Sequence, residues 1–141
     1  QEIIYKKKKL TIINDSKATS FSSSESLIKS IPNVYWIVGG LFKKGDKFLL
    51  SKMYCKNLKA YIFGKNKKFY KNELKDKMQI ESFLNLKSII KKIILDIKTD
   101  KLKNHKTILF SPAGASFDSF KNFEERGRYF NNLIKKSINV L

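Results

Sequence analysis

Apolar residues occur along this chain in two rhythms, short runs and longer stretches at helical spacing. The runs at 3–5, 10–13, 34–38, 60–63, 80–83 and 107–110 are rich in Ile, Val, Phe and Tyr, and they predict strands. Lysines at 6–9 separate the first two and suggest a hairpin. The run at 34–38 is apolar throughout and ends in Gly39-Gly40, which suits a strand buried on both faces of a parallel sheet. Helices are predicted between these runs. One is capped by Ser22, Ser23 or Ser24, carries Glu25 in its first turn and stops at Pro32-Asn33. Others are expected at 48–54 and 65–77. Leu86, Ile89, Ile90, Ile93, Ile94 and Ile97 recur at helical spacing and predict an amphipathic helix. A long helix at 120–140 would bury Phe123, Phe130, Leu133 and Ile134.

Strands alternating with helices indicate an α/β domain with a Rossmann-like, mostly parallel sheet flanked by helices, preceded by an N-terminal hairpin. In such sheets ligands bind beyond the carboxyl ends of the strands. Three predicted strands end in distinctive polar or glycine-rich loops, at 15–19, 39–43 and 111–116. Their convergence on one rim is the expectation from which a site would follow.

The 141 residues fit one domain, expected to span 1–141, and the 42% hydrophobic content suffices for a core. The formal charge is +18, from 30 basic and 12 acidic residues, and all the basic ones except Arg126 and Arg128 are lysine. Such a charge attracts polyanions. A basic nucleic-acid-binding module is therefore the rival reading, although dedicated readers favour arginine for bidentate contacts and here lysine is spread over every segment. Neither a membrane nor a specific nucleic acid is expected as a partner. Cys55 stands alone and reads as a small buried hydrophobe; His105 reads as a loop residue before a strand, and Trp36 as core. Metal-ligand spacing is absent, and so is any apolar run of the roughly 20 residues a membrane span needs. A reducing, cytoplasmic setting is expected. The start without methionine and the abrupt end at Leu141 suggest a piece of a larger protein.

The most specific stretch runs from Ser111 to Gly127, reading S-P-A-G-A-S-F-D-S-F-K-N-F-E-E-R-G. It resembles the Mur ligase signature SPA-x-AS-x-D-x-F-x-x-F-x-x-RG. Asn14-Asp15-Ser16-Lys17-Ala18-Thr19 is similar to the family's NDSKAT motif, and Gly39-Gly40-Leu41-Phe42-Lys43 to its GG-x-x-K element. The D-S-K-A-T and F-K-N-F patterns resemble the D-glutamate-adding branch. Gly114 departs from the family, which often has cysteine there; the position supports a loop and is expected to tolerate the change. The phosphate loop G-x-x-x-x-G-K-[ST] is absent from this chain.

The resemblance implies the C-terminal, substrate-closing domain of a three-domain, ATP-dependent ligase of peptidoglycan synthesis. Its partners would be D-glutamate, ATP or ADP, and UDP-N-acetylmuramoyl-L-alanine, the last met through the rest of the enzyme. ATP and Mg would be held mainly by a central domain lying outside this chain, and the isolated domain would be inactive. By resemblance, Thr19, Lys43, Ser116, Phe117 and Phe123 would hold D-glutamate, Phe123 through its backbone, while Asp15 and Lys17 would face the nucleotide. A standalone nucleotide-binding regulator derived from the same domain is a further alternative. The residue chemistry is compatible: carboxylates need cations, hydroxyls and backbone N–H donors. Lys43 supplies a point charge, Thr19 and Ser116 supply hydroxyls, and the loop after Ser116 leads to a helix N-terminus. Each has a simpler reading beside it. Asp15 and Ser16 could only shape a turn, Lys43 could be one more solvated lysine, Ser116 could only cap a helix, and Glu124 and Arg126 are expected to form local pairs.

Overall fold

Each central strand sends alternate residues into opposite cores, because side chains alternate across a pleated strand. The structure, a computed structural model, describes residues 1–7, 9–116 and 120–140. Six strands form one sheet: β1 (Glu2–Lys7), β2 (Leu10–Asn14), β3 (Val34–Gly39), β4 (Leu58–Phe63), β5 (Gln79–Ser82) and β6 (Lys106–Phe110). Their spatial order is β1-β2-β6-β3-β4-β5. β1 pairs antiparallel with β2, and every other pairing is parallel. The α/β class and the hairpin are thus as the sequence predicts.

Two cores result. Ile13, Trp36, Val38, Ala60, Ile62 and Leu109 face one side, where helices α1 (Phe21–Ser30) and α2 (Lys67–Leu74) cover them with Phe21, Ile28, Tyr70 and Leu74. Ile12, Ile37, Tyr61, Phe63, Ile108 and Phe110 face the other, under α3 (Leu86–Thr99) and α4 (Phe123–Ser137). α3 inserts Leu86, Ile89, Ile90 and Ile93, each a burial of about 1.5–3 kcal/mol. Phe130 of α4 stacks on Phe110 at 4.4 Å. Trp36 is wholly buried, and its indole N–H donates to the Ser111 carbonyl at 2.7 Å.

The predicted helix at 48–54 does not form. The segment is extended, with only a 3-10 turn at Lys52–Cys55. Phe48 and Leu50 are buried while Leu49 is 77% exposed, a period of two rather than 3.6. Carboxylates replace the missing helical hydrogen bonds. Phe48 N–H donates to Glu73 and Leu49 N–H to Glu25. Glu25 therefore ties this loop to α1 instead of serving the α1 dipole. The caps expected from Ser22–Ser24 also shift: Ser20 is the N-cap residue, and the Phe21 N–H is taken by the Asp46 carboxylate at 3.0 Å. α2 is shorter than its predicted span of 65–77. α4 begins at Phe123 rather than at 120, because the Asn122 side chain accepts from the Glu125 N–H at 2.8 Å and caps it there. Cys55 is buried, and His105 precedes β6 with Nε2 2.7 Å from the Thr11 hydroxyl.

Candidate functional site

β2, β6 and β3 are parallel neighbours, so their carboxyl ends lie side by side on one rim. The loop after β2 carries Asp15, Lys17 and Thr19; the loop after β6 carries Ser116; the loop after β3 carries Lys43. β6 is last in sequence but central among the three, and that insertion brings the 111–116 loop between the other two.

Backbone bonds join the β3 and β6 loops directly. Leu41 N–H donates to the Ala115 carbonyl at 3.0 Å, Ala115 N–H returns to Leu41 at 2.9 Å, and Gly39 N–H donates to Pro112 at 2.8 Å. Close backbone approach explains the glycine pair, Gly39 against the end of β4 and Gly40 against the β6 loop. Gly39 has φ +146° and Gly40 has φ +125°. A Cβ on Gly39 would lie 2.0 Å from the Phe63 carbonyl oxygen, and one on Gly40 would lie 2.5 Å from that of Ala115. Ala113 holds a left-handed φ of +57°, and its carbonyl accepts from the buried Tyr70 hydroxyl at 2.9 Å. The same hydroxyl sits 2.3 Å from where a Gly114 Cβ would stand. Tyr70 thus occupies the space of a side chain at 114, which accounts for glycine at this position.

The loops after β2 and β6 are joined through α4. Asn14 donates to the Gly127 carbonyl at 2.9 Å and to Asn131 at 2.7 Å, and Ser16 Oγ donates to the Phe123 carbonyl at 2.7 Å. Arg126 is fully buried. Its Nε donates to Ser16 Oγ at 3.1 Å, Nη1 to the Gly114 carbonyl at 2.8 Å, and Nη2 to the Ser16 carbonyl. Arg126, expected to pair locally, reaches groups up to 110 residues away in sequence. Sequence reasoning missed this clamp, whose only signal was the pairing of an N-D-S loop with a distant R-G. Gly127 permits the packing, since a Cβ there would meet Ser16 at 3.2 Å.

The site residues fall into two groups. Lys17, Thr19 and Lys43 are exposed, and the Lys43 ammonium has no partner among the described residues. Ser116 is buried with its carbonyl accepting from Phe120 N–H at 2.9 Å, and its hydroxyl has no hydrogen-bond partner among the described residues. Asp15 is only 4% exposed. Its Oδ2 accepts from the Ser111 hydroxyl at 2.9 Å, and Ser111 Oγ in turn lies 2.6 Å from Ser24 Oγ. Phe123, expected on the buried face of the last helix, is instead 40% exposed at the start of α4, with its carbonyl engaged by Ser16. Phe117 lies outside the described residues. Among those described, no cluster of His, Cys, Asp and Glu could hold a metal ion, and no helix is long and apolar enough to cross a membrane.

No family model matches the chain. Curated relatives do. A UDP-N-acetylmuramoylalanine–D-glutamate ligase of Wolbachia sp. subsp. Brugia malayi (strain TRS) is 37% identical over 135 residues, which is 96% of this chain and 27% of that protein. The ligase of the same name from Prochlorococcus marinus (strain MIT 9312) is 38% identical over 148 residues, 99% of this chain and 30% of its own length. That of Rickettsia bellii (strain RML369-C) is 36% identical over 121 residues, 86% and 27% respectively. The chain is homologous, over nearly its whole length, to one part of the D-glutamate-adding Mur ligases, and it spans less than a third of the relatives it matches.

Proposed function

We propose that this chain is the substrate-closing domain of an ATP-dependent ligase that adds D-glutamate to UDP-N-acetylmuramoyl-L-alanine in the cytoplasm. The observation that carries the reading is the meeting of three loops, each matching a family motif, at the carboxyl ends of β2, β6 and β3. D-glutamate is an amine with two carboxylates. Lys43 offers it a cation with no partner among the described residues, and Thr19 and Ser116 offer hydroxyls at the same rim. Phe117 and the backbone near Phe123 complete the proposed D-glutamate set. Holding the amine in line with an activated carboxylate is an orientation effect, and closure of this rim against the rest of the enzyme would exclude water from the reaction.

ATP supplies the activation of the acceptor carboxylate when bound; the sequence contains no G-x-x-x-x-G-K-[ST] loop, and among the described residues no His, Cys, Asp and Glu cluster could hold Mg. Its part in nucleotide contact would fall first to Lys17, which is exposed. Asp15 is nearly buried, with Oδ2 accepting from Ser111 and Oδ1 3.5 Å from the Gln1 ammonium. The isolated chain should accordingly release no phosphate when given ATP, D-glutamate and the acceptor.

The test is made on the full-length enzyme. Lys43→Ala should weaken D-glutamate binding roughly tenfold to a hundredfold, the equivalent of a charge-assisted hydrogen bond of about 1.5–3 kcal/mol. KM for the UDP-sugar should change little. Lys44→Ala controls for charge loss alone. Equal D-glutamate KM values in both variants and the parent would reduce Lys43 to a solvated lysine.

A further inference from the structure

The reading above leaves the charge of +18 unused. Part of it is concentrated at the pole opposite the candidate site. The hairpin between β1 and β2 and the segment that joins α3 to β6 meet at the amino ends of the strands, where Lys9 Nζ donates to the Lys103 carbonyl at 2.5 Å. Exposed lysines converge here from the two segments: Lys6, Lys7 and Lys9 from the hairpin, and Lys98, Lys101 and Lys103 from the α3–β6 connection. Asp100, which lies among them, is held by Lys106 at 3.3 Å, and none of the six has an ion pair among the described residues. A hydrogen bond from Leu102 N–H, then those from Lys106 and Tyr35, hold the Asp100 carboxyl below the usual carboxylate range.

Between the lysines lies a groove of about 840 Å³ with an apolar floor of Tyr5, Leu10 and Ile97. Leu102 stands at its edge, 66% exposed. Lysines around an apolar floor, with a protruding leucine, are complementary to a surface that is anionic outside and hydrocarbon within. A site that reads or stacks on the bases of a nucleic acid would call for stacking aromatics or arginine forks. Tyr5, the aromatic here, is half-buried under the Lys7 ammonium at 5.8 Å, and no arginine lines the groove.

We infer that this pole docks on an anionic lipid bilayer, with the lysines of the β1–β2 hairpin and the α3–β6 connection against the headgroups and Leu102 inserted between them. β6 is five residues long, so the docked pole stands roughly 15 Å from the opposite rim and leaves it free.

The experiment is cosedimentation of the purified chain with phosphatidylcholine vesicles, with and without phosphatidylglycerol. Binding is expected only with the anionic lipid and should fall steeply with salt. Each lysine at a charged bilayer contributes a factor of about five, so replacing Lys7, Lys9, Lys98 and Lys103 together by Gln should weaken binding by several hundredfold. A matched quadruple variant at Lys52, Lys71, Lys87 and Lys135, all exposed elsewhere, should lose much less. Equal loss in the two quadruple variants, with melting temperatures unchanged, overturns the pole as a site. Leu102→Ser should weaken vesicle binding and leave binding to a homopolymeric RNA as it was. Tighter binding to that RNA than to anionic vesicles, lost in the pole variant but indifferent to Leu102→Ser, would assign the surface to a polyanion and overturn the bilayer. Absence of vesicle binding by the parent chain at low salt would also overturn it.

Discussion

Replacing Arg126 tests whether the two motif loops are held by one buried side chain. Arg126→Met keeps the length and apolar stem of the residue but removes every donor. In the parent, the guanidinium satisfies the Ser16 carbonyl, the Gly114 carbonyl and Ser16 Oγ, all at a site closed to solvent. Ser16 Oγ keeps its bond to Phe123, so the loss falls on the two carbonyls. An orphaned buried acceptor costs about 1–3 kcal/mol, and two give about 2–6 kcal/mol. That is a large share of the roughly 5–15 kcal/mol by which a domain is stable. Urea unfolding followed by Trp36 fluorescence is a suitable assay, because the indole bonds to Ser111 at the start of the same loop. With a slope of about 2 kcal/mol/M, a loss near 4 kcal/mol lowers the midpoint by about 2 M at unchanged slope. Arg128→Met, on the exposed side of α4, should stay within about 0.5 kcal/mol. Arg126→Lys restores a charge but not the fork, and should recover only part of the loss. A midpoint for Arg126→Met within about 0.3 M of the parent would refute the clamp. Under the proposed function, Arg126→Lys in the full-length ligase should raise the D-glutamate KM, because Thr19 and Ser116, proposed to hold that substrate, sit on the two loops it joins.

Gly39→Ala should destabilise the chain by more than about 2 kcal/mol in the same urea assay, since its Cβ would stand 2.0 Å from a backbone oxygen at a φ of +146°; a variant as stable as the parent would mean that the β3–β4 contact yields easily. The Asp96 carboxyl, pushed up by burial, is held lower overall by hydrogen bonds from Tyr61 at 2.6 Å, Lys59 at 3.0 Å and Lys92, so its folded pKa lies below 3.8. A depressed carboxylate adds stability above its unfolded value, and that contribution is lost as pH falls through the folded one. Asp96→Asn should therefore lower the melting temperature at neutral pH and reduce its decline below pH 3.8, and a parallel curve for parent and variant would exclude the linkage.

The hydrophobic rhythm of the chain determined its α/β class, its hairpin and most of its strands and helices, because those depend on local periodicity. Its glycines and motif spacing also marked the three loops. The failure at 48–54 has a physical reason. Phe48 and Leu50 are buried, and the acceptors for the backbone N–H groups of Phe48 and Leu49 come from Glu73 and Glu25, 25 and 24 residues away. Only the tertiary structure could decide that β6, last of the strands in sequence, lies between β2 and β3, and so that the loops after them share a rim. It also decided the role of Arg126. Whether an arginine is buried against Ser16 depends on how α4 packs on the end of β2, where a Cβ on Gly127 would stand 3.2 Å from that of Ser16. Local spacing carries no record of such contacts, because their energy comes from groups that meet only after the sheet has formed.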